Sequence, residues 1–316
     1  MKQAAPVLLL VLTLVFAFAQ QSDPLYWAYP VDPPSTAKPH PPSNKGQHVP
    51  GSSATFTKAQ IENGLPDWHP KDHPPMPSVV AKGQEPSLYP CGYCHLPNGL
   101  GRPENATLAG LPVAYITQQL ADFKNGLRKS SVPQHLPTNL MIGVAKQCNA
   151  DQVHVAATYF ASLKLKPWIR VVESAIVPKT HVAEWMLIPS NPAGTEAIGD
   201  RIIELPEDLN RTELRDDRSG FIAYVPVGSV QEGKTLASGT TGKTVRCSVC
   251  HGDDLRGHLN VPALAGRSPS YLVRQMNDIQ NGNRHGVQVG LMKPAVRNLT
   301  VKDMIALAAY CASLQP

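Results

Sequence analysis

The sequence predicts a mainly α protein, two tandem copies of one helical domain joined by a small β-rich connector. Three observations predict it. "CGYCH" at Cys91 recurs as "CSVCH" at Cys247, an offset of 156 positions, and the same offset aligns "LAGLPVAYITQQLADFKNG" (108–126) with "LAGRSPSYLVRQMNDIQNG" (264–282). Within the copies, apolar residues such as Leu272, Met276 and Ile279 recur at helical spacing. Between them, runs such as "WIRVVESAIVP", "HVAEWMLIP", "DRIIELP" and "GFIAYVPVG" are β-branched and aromatic and are cut by Pro and Gly, which predicts short strands. A repeat this long means two copies of a domain rather than a solenoid of short units.

The elements follow in chain order. Residues 1–19 have a positive Lys2, an apolar run from Val7 to Phe16 and Ala17-Phe18-Ala19, which is the pattern of a cleaved secretory signal. The alternative is an uncleaved anchor, but the run is short for a membrane span. The expected mature protein is exported, soluble and periplasmic. Residues 20–78 form an arm thick with proline, which removes backbone donors and fixes φ, so regular structure is not expected there. Trp68, Met76 and Val79 are apolar enough for part of the arm to wrap the first domain; a flexible linker is the alternative.

The first domain spans 79–166, the connector 167–228 and the second domain 229–316. "SPSYLVRQMNDIQNG" predicts a helix capped by Ser268, started by Pro269 and stopped before Gly282. A last helix starts at Thr300, with Asp303 completing a capping box; Asn149 and Gln152 match in the first copy. Leu140-Met141 aligns with Leu291-Met292 and "TYFASL" with "AYCASL" at an offset of 151, so the five-residue change falls between Gly126 and Leu140, a stretch that reads as loop.

The net charge of +5 is spread along the chain with no basic cluster, so nucleic acid is not an expected partner. Four of the six cysteines (Cys91, Cys94, Cys247, Cys250) sit in the two Cys-x-x-Cys-His motifs. Cys148 and Cys311 remain, as one disulfide or as buried free thiols. "GTTGKT" (239–244) imitates a phosphate loop, but Ala237 stands where its first Gly belongs and no strand precedes it.

On one helical turn, the two sulfurs of Cys-x-x-Cys-His fall on one side, placed to add to the two vinyl groups of a haem, and the histidine that follows turns its imidazole to the iron. A thioredoxin-like dithiol needs a preceding strand and a βαβ context that neither copy has. A structural zinc site would leave the repeated downstream helices unexplained. The expected cofactors are therefore two covalently attached haem c groups, with His95 and His251 as metal ligands. Met141 and Met292 are the expected sixth ligands; a neutral, soft thioether favours ferrous iron. His135 competes with Met141, and His258 and His285 are weaker rivals of Met292.

"CSVCHGDDLRG", "PALAG", "YLVRQMNDIQNG", "LMKP" and "AAYCASL", with diverged equivalents in the first copy, resemble class I cytochrome c domains, and the tandem arrangement resembles the dihaem cytochrome c4 family. The likeness covers 79–163 and 229–315. It implies two cytochrome c-like domains of a few helices, each around one haem, with the Pro262 carbonyl accepting a hydrogen bond from the proximal histidine; Ala106 stands at that place in the first copy. The connector and the arm depart from the compact c4 pattern. The function expected is carriage of single electrons between redox partner proteins, such as a membrane-bound oxidase or a dehydrogenase, without catalysis. The alternatives are a dihaem peroxidase, another dihaem oxidoreductase such as a thiol-oxidising dehydrogenase, or the cytochrome subunit of a dehydrogenase complex.

Overall fold

The computed structural model describes residues 25–34, 44–84 and 88–316; the leader expected over 1–19 lies outside them. Helix α1 (Lys58–Asn63) and a two-residue hairpin, β1 (Gly46–Gln47) with β2 (Phe56–Thr57), belong to the arm. The first repeat supplies α2 (Ser78–Ala81), α3 (Cys91–His95), α4 (Val113–Lys124), α5 (Leu136–Gln147) and α6 (Ala150–Ser162). The connector supplies β3 (Ile169–Glu173), β4 (Ile176–Pro178), β5 (Thr180–Ala183), β6 (Met186–Pro189), β7 (Thr195–Ala197), β8 (Ile203–Pro206), α7 (Leu209–Glu213) and β9 (Phe221–Val225). The second repeat supplies α8 (Ser229–Ala237), α9 (Ser248–His251), α10 (Pro269–Gln280), a 3-10 turn (Val287–Leu291), α11 (Lys293–Val296) and α12 (Val301–Ser313).

The same local chemistry sets the same boundaries twice. α4 and α10 each follow or begin with a proline and stop before a left-handed glycine, Gly126 (φ 71) and Gly282 (φ 75). α6 and α12 both start with complete capping boxes, Asn149 with Gln152 and Thr300 with Asp303. Each such cap contributes about 1 kcal/mol by satisfying amides that the first turn leaves free. One element differs from the sequence reading: Met141 lies in the middle of α5 and not in a loop. His135 and Pro137 start that helix, and Gly143 alone interrupts a run of helix-tolerant residues.

α8 crosses α12 at Gly233, where a Cβ would lie only 2.5 Å from the Ala306 carbonyl carbon. The position 156 residues earlier is Pro77, the N-cap of the single turn α2. A proline inside a helix loses a bond and clashes with the preceding turn, so the first repeat keeps only the end of this helix.

In the connector, β3, β9 and β8 form one sheet, with β3 parallel and β8 antiparallel to β9. Phe221, Ala223 and Val225 of β9 alternate inward. Trp168, Met186 and Phe221 join the core of the first repeat, whereas Ile203, Leu205 and Val225 join that of the second. The arm is packed too. Trp68 is buried with Val49 and Ile61 and donates its indole N–H to Leu214 O at 2.7 Å. Trp27 and Tyr29 are each 1% exposed and belong to the core of the second repeat.

Candidate functional site

Both Cys-x-x-Cys-His motifs fold as the single turn that the spacing requires. The histidine that ends each turn is buried. His95 donates from Nδ1 to Ala106 O at 2.8 Å, and His251 donates from Nδ1 to Pro262 O at 2.8 Å. A carbonyl only accepts, so both rings carry their proton on Nδ1 and present a lone pair on Nε2. His251 Nε2 is buried with no hydrogen-bond partner, the condition of an atom shaped to meet a ligand. Burial pushes the His95 pKa down to about 4 and lowers that of His251, keeping both imidazoles neutral. Burial also pushes the Cys91 thiol up to about 12 and raises Cys94 and Cys247. A redox dithiol or a thiolate metal clip needs the opposite shift. Cys148 and Cys311 are buried free thiols in different cores.

In the first repeat, Cys91, Cys94 and His95 line a cleft of about 1250 Å³, mouth included, with Ile116, Phe123 and Phe160 among its apolar walls. Apolar walls that converge on an open-mouthed cleft beside the two cysteines and the histidine suit a flat, largely apolar macrocycle. Met141 lines the same cleft from α5, half-buried. So does His135, which is 2% exposed. Its Nδ1 meets the Thr138 hydroxyl at 2.9 Å, its ring stands edge-on to Tyr29, and its Nε2 has no partner. In the second repeat, Met292 joins the 3-10 turn to α11 and packs on the core together with Cys247. Val249 and Leu291, beside these residues in the chain, are 77% and 79% exposed, apolar surface of the kind that a bound macrocycle covers. His258 and His285 are exposed, and His285 Nδ1 is held by Gly282 O at 2.8 Å.

Sequence reasoning missed the contact between the repeats. Arg128 donates to Tyr271 Oη at 3.0 Å and to Gln275 Oε1 at 2.9 Å; Arg284 donates to Tyr115 Oη at 2.9 Å and to Gln119 Oε1 at 2.9 Å. The backbone repeats the exchange, Lys129 N to Asn283 O at 2.7 Å and His285 N to Leu127 O at 2.9 Å. Each of these contacts is repeated by the pair of residues 156 positions away, so the two halves meet about a pseudo-twofold axis. Both arginines are buried, and among the described residues neither has a carboxylate within ion-pair distance. Arg128, Tyr271 and Gln275 also line the first cleft, which therefore offers cationic donors to an anion. The signal is visible in the sequence: Tyr115 and Gln119 on α4 recur as Tyr271 and Gln275 on α10, and Arg128 just beyond the first helix recurs as Arg284 just beyond the second, polar identities that apolar periodicity does not register.

The covalent turns, the neutral buried imidazoles and the large apolar cleft define a haem-attachment protein. A Cytochrome c family model matches residues 230–315. Cytochrome c-554(548) of Halomonas halodenitrificans is 35% identical over 68 residues, 21% of this chain and 82% of that protein. The thiosulfate dehydrogenase electron acceptor of Thiomonas intermedia is 29% identical over 234 residues, 72% of this chain and 80% of that protein. Other matches are shorter, down to 36% of the relative's own length. The solved reduced cytochrome c4 of Pseudomonas stutzeri aligns with 71% of this chain and 93% of its own, at 21% identity and a TM-score of 0.47. The chain belongs to the c-type cytochromes. With two attachment motifs it is a dihaem member resembling cytochrome c4, carrying two covalently attached haem c groups.

Proposed function

We propose that this protein is an exported, periplasmic electron carrier that takes single electrons from a sulfur-compound dehydrogenase and passes them to a further acceptor. One observation carries the reading: the likeness to a thiosulfate dehydrogenase electron acceptor runs through 72% of this chain, more than either repeat alone could supply. A cytochrome subunit of a sulfide dehydrogenase, from Chlorobaculum tepidum, is a further relative at 30% identity over 104 residues.

The two cytochrome domains are 79–166 and 229–316, and 167–228 joins them. Cys91 and Cys94 hold one haem, Cys247 and Cys250 the other. His95 with Met141, and His251 with Met292, complete the two iron sites. The haem supplies the one-electron chemistry; the chain attaches it, fixes each imidazole through the Ala106 and Pro262 carbonyls, and excludes water. Arg128 and Arg284 fit the propionates, because two buried cations without carboxylate partners need anions. With His95 and Met141, and His251 and Met292, as its ligands, each iron would have no protein-free position left for substrate, which supports a carrier over a peroxidase. A second reading applies to the first iron alone. His135 offers a buried, unpartnered Nε2 on a ring oriented through Nδ1, so it is the alternative ligand to Met141.

The test mixes the oxidised holoprotein with a thiosulfate-oxidising dehydrogenase and thiosulfate, and follows the ferrous absorption bands. Reduction that requires all three components is expected. An oxidised spectrum that stays unchanged while an unrelated acceptor dye is reduced would remove the donor assignment.

A further inference from the structure

Far from both motifs in the sequence, the arm and the connector bring together three buried groups with the chemistry of metal ligands. His69, Asp216 and Asp217 each offer one ligand atom, and these atoms all lie within 4.8 Å of one another. None of the three residues exceeds 4% exposure. His69 Nε2 lies 3.0 Å from Asp216 Oδ1. Asp217 Oδ1 is the telling atom. It is buried with no hydrogen-bond partner, on a side chain whose residue is 3% exposed. An ionised carboxylate left so is costly, and burial pushes its pKa up to about 6.

We propose that His69, Asp216 and Asp217 form a structural site for one divalent cation of the zinc type, which clamps the proline-rich arm to the connector. Zinc binds imidazole and carboxylate at about 2.0–2.2 Å, which puts tetrahedral ligand atoms roughly 3.3 Å apart. The His69–Asp216 separation is already close to that value, and Asp217 need only close in. Hydrogen bonds already orient Asp216 as a ligand. Arg211 Nε donates to its Oδ2 at 2.7 Å, while its Oδ1 accepts from Arg218 N at 3.0 Å and faces His69. One imidazole and two carboxylates suit a borderline divalent ion better than a soft one. Water completes the coordination.

The clamp reaches the first haem motif through the same loop. Asn98 donates to Asp217 O, and Arg215, which has a left-handed φ of 56, donates to Tyr93 O at 3.0 Å and lies over the Tyr93 ring. Tyr93 is inside the attachment turn. Cation binding at one end of 215–217 therefore steadies the proximal side of the first haem.

The experiment uses the holoprotein, stripped with a chelator, loaded with zinc alone and dialysed, with haem per chain measured as the check on folding. Wild type is expected to retain one zinc per chain more than Asp217→Asn or His69→Gln, and zinc is expected to raise the melting temperature of wild type alone. Equal retention by wild type and both variants would place the bound zinc elsewhere and overturn the site. No retention by wild type would overturn it equally. Asp217→Asn removes a buried unpaired charge and is expected to fold with both haems; should it not, His69→Gln carries the comparison.

Discussion

Gly233→Ala tests the crossing on which the second haem site rests. A methyl at this position would lie 2.5 Å from the Ala306 carbonyl carbon and 2.7 Å from Tyr310 Cβ. Both neighbours are on or next to the α12 backbone, so no side chain can swing aside. Restoring ordinary carbon contacts of about 3.5–4.0 Å requires α8 and α12 to part by roughly 1 Å or more, and a gap of that size forfeits a quarter to a half of each contact across the interface. Overpacking of this kind costs about 1–3 kcal/mol. Because the clash is with the backbone of a packed helix, the cost falls at the upper end of that range; alanine returns about 1 kcal/mol of helix propensity, so the net loss is about 2 kcal/mol. For a cooperative unit of about 60–100 residues, that lowers the melting temperature by about 8–16 °C. Thermal unfolding followed by absorption of the second haem, with a variant lacking the first attachment cysteines as reference, reads the effect. A melting temperature within about 2 °C of the parent would refute the reasoning, since the crossing would then have room that the structure denies it.

Other outcomes are expected from the haem sites. Replacing Cys247 and Cys250 together by Ala should leave one covalent haem per chain in place of two, as measured by the alkaline pyridine spectrum; full retention would contradict the attachment. Met292→Ala should keep both haems but turn one iron high-spin and open to carbon monoxide, and an unaltered spectrum would remove Met292 from the iron. Met141→Ala and His135→Ala should differ in the same assay: only the variant that removes the true ligand creates a high-spin iron. Arg284→Gln should lower the midpoint potential of a nearby haem, because loss of a buried cation disfavours the added electron by on the order of 1 kcal/mol, roughly 40 mV for one electron. Redox titration unchanged within error would separate Arg284 from the haem environment.

The repeat made much of this protein legible. Because the boundaries of α4, α6, α10 and α12 are set by local chemistry, the Ser268 and Thr300 caps and the left-handed Gly282 could be read from single residues and their neighbours. The turn carrying each Cys-x-x-Cys-His is also local, as is the kinship of Ala106 and Pro262. Features built from distant segments were not legible. The proline-rich composition of the arm correctly disfavours long regular elements, yet it does not forbid burial, and Trp27 and Tyr29 are core residues. His69 meets Asp216 across 147 positions, a pairing that no spacing rule supplies. The place of Met141 on a helix reflects an N-terminal stop at His135 and Pro137 that reads equally well as loop.

The exchange of Arg128 and Arg284 across the axis has a consequence for how the protein behaves when scarce. Residue i of one half touches residue j of the other, and j touches i, the pattern of a self-complementary homodimer written into a single chain. Two separate one-haem subunits joined by such a face would fall apart on dilution; here the connector makes the association intramolecular and independent of concentration. Each molecule that meets a donor therefore arrives with both redox centres already assembled, and its capacity is two electrons per encounter at any abundance.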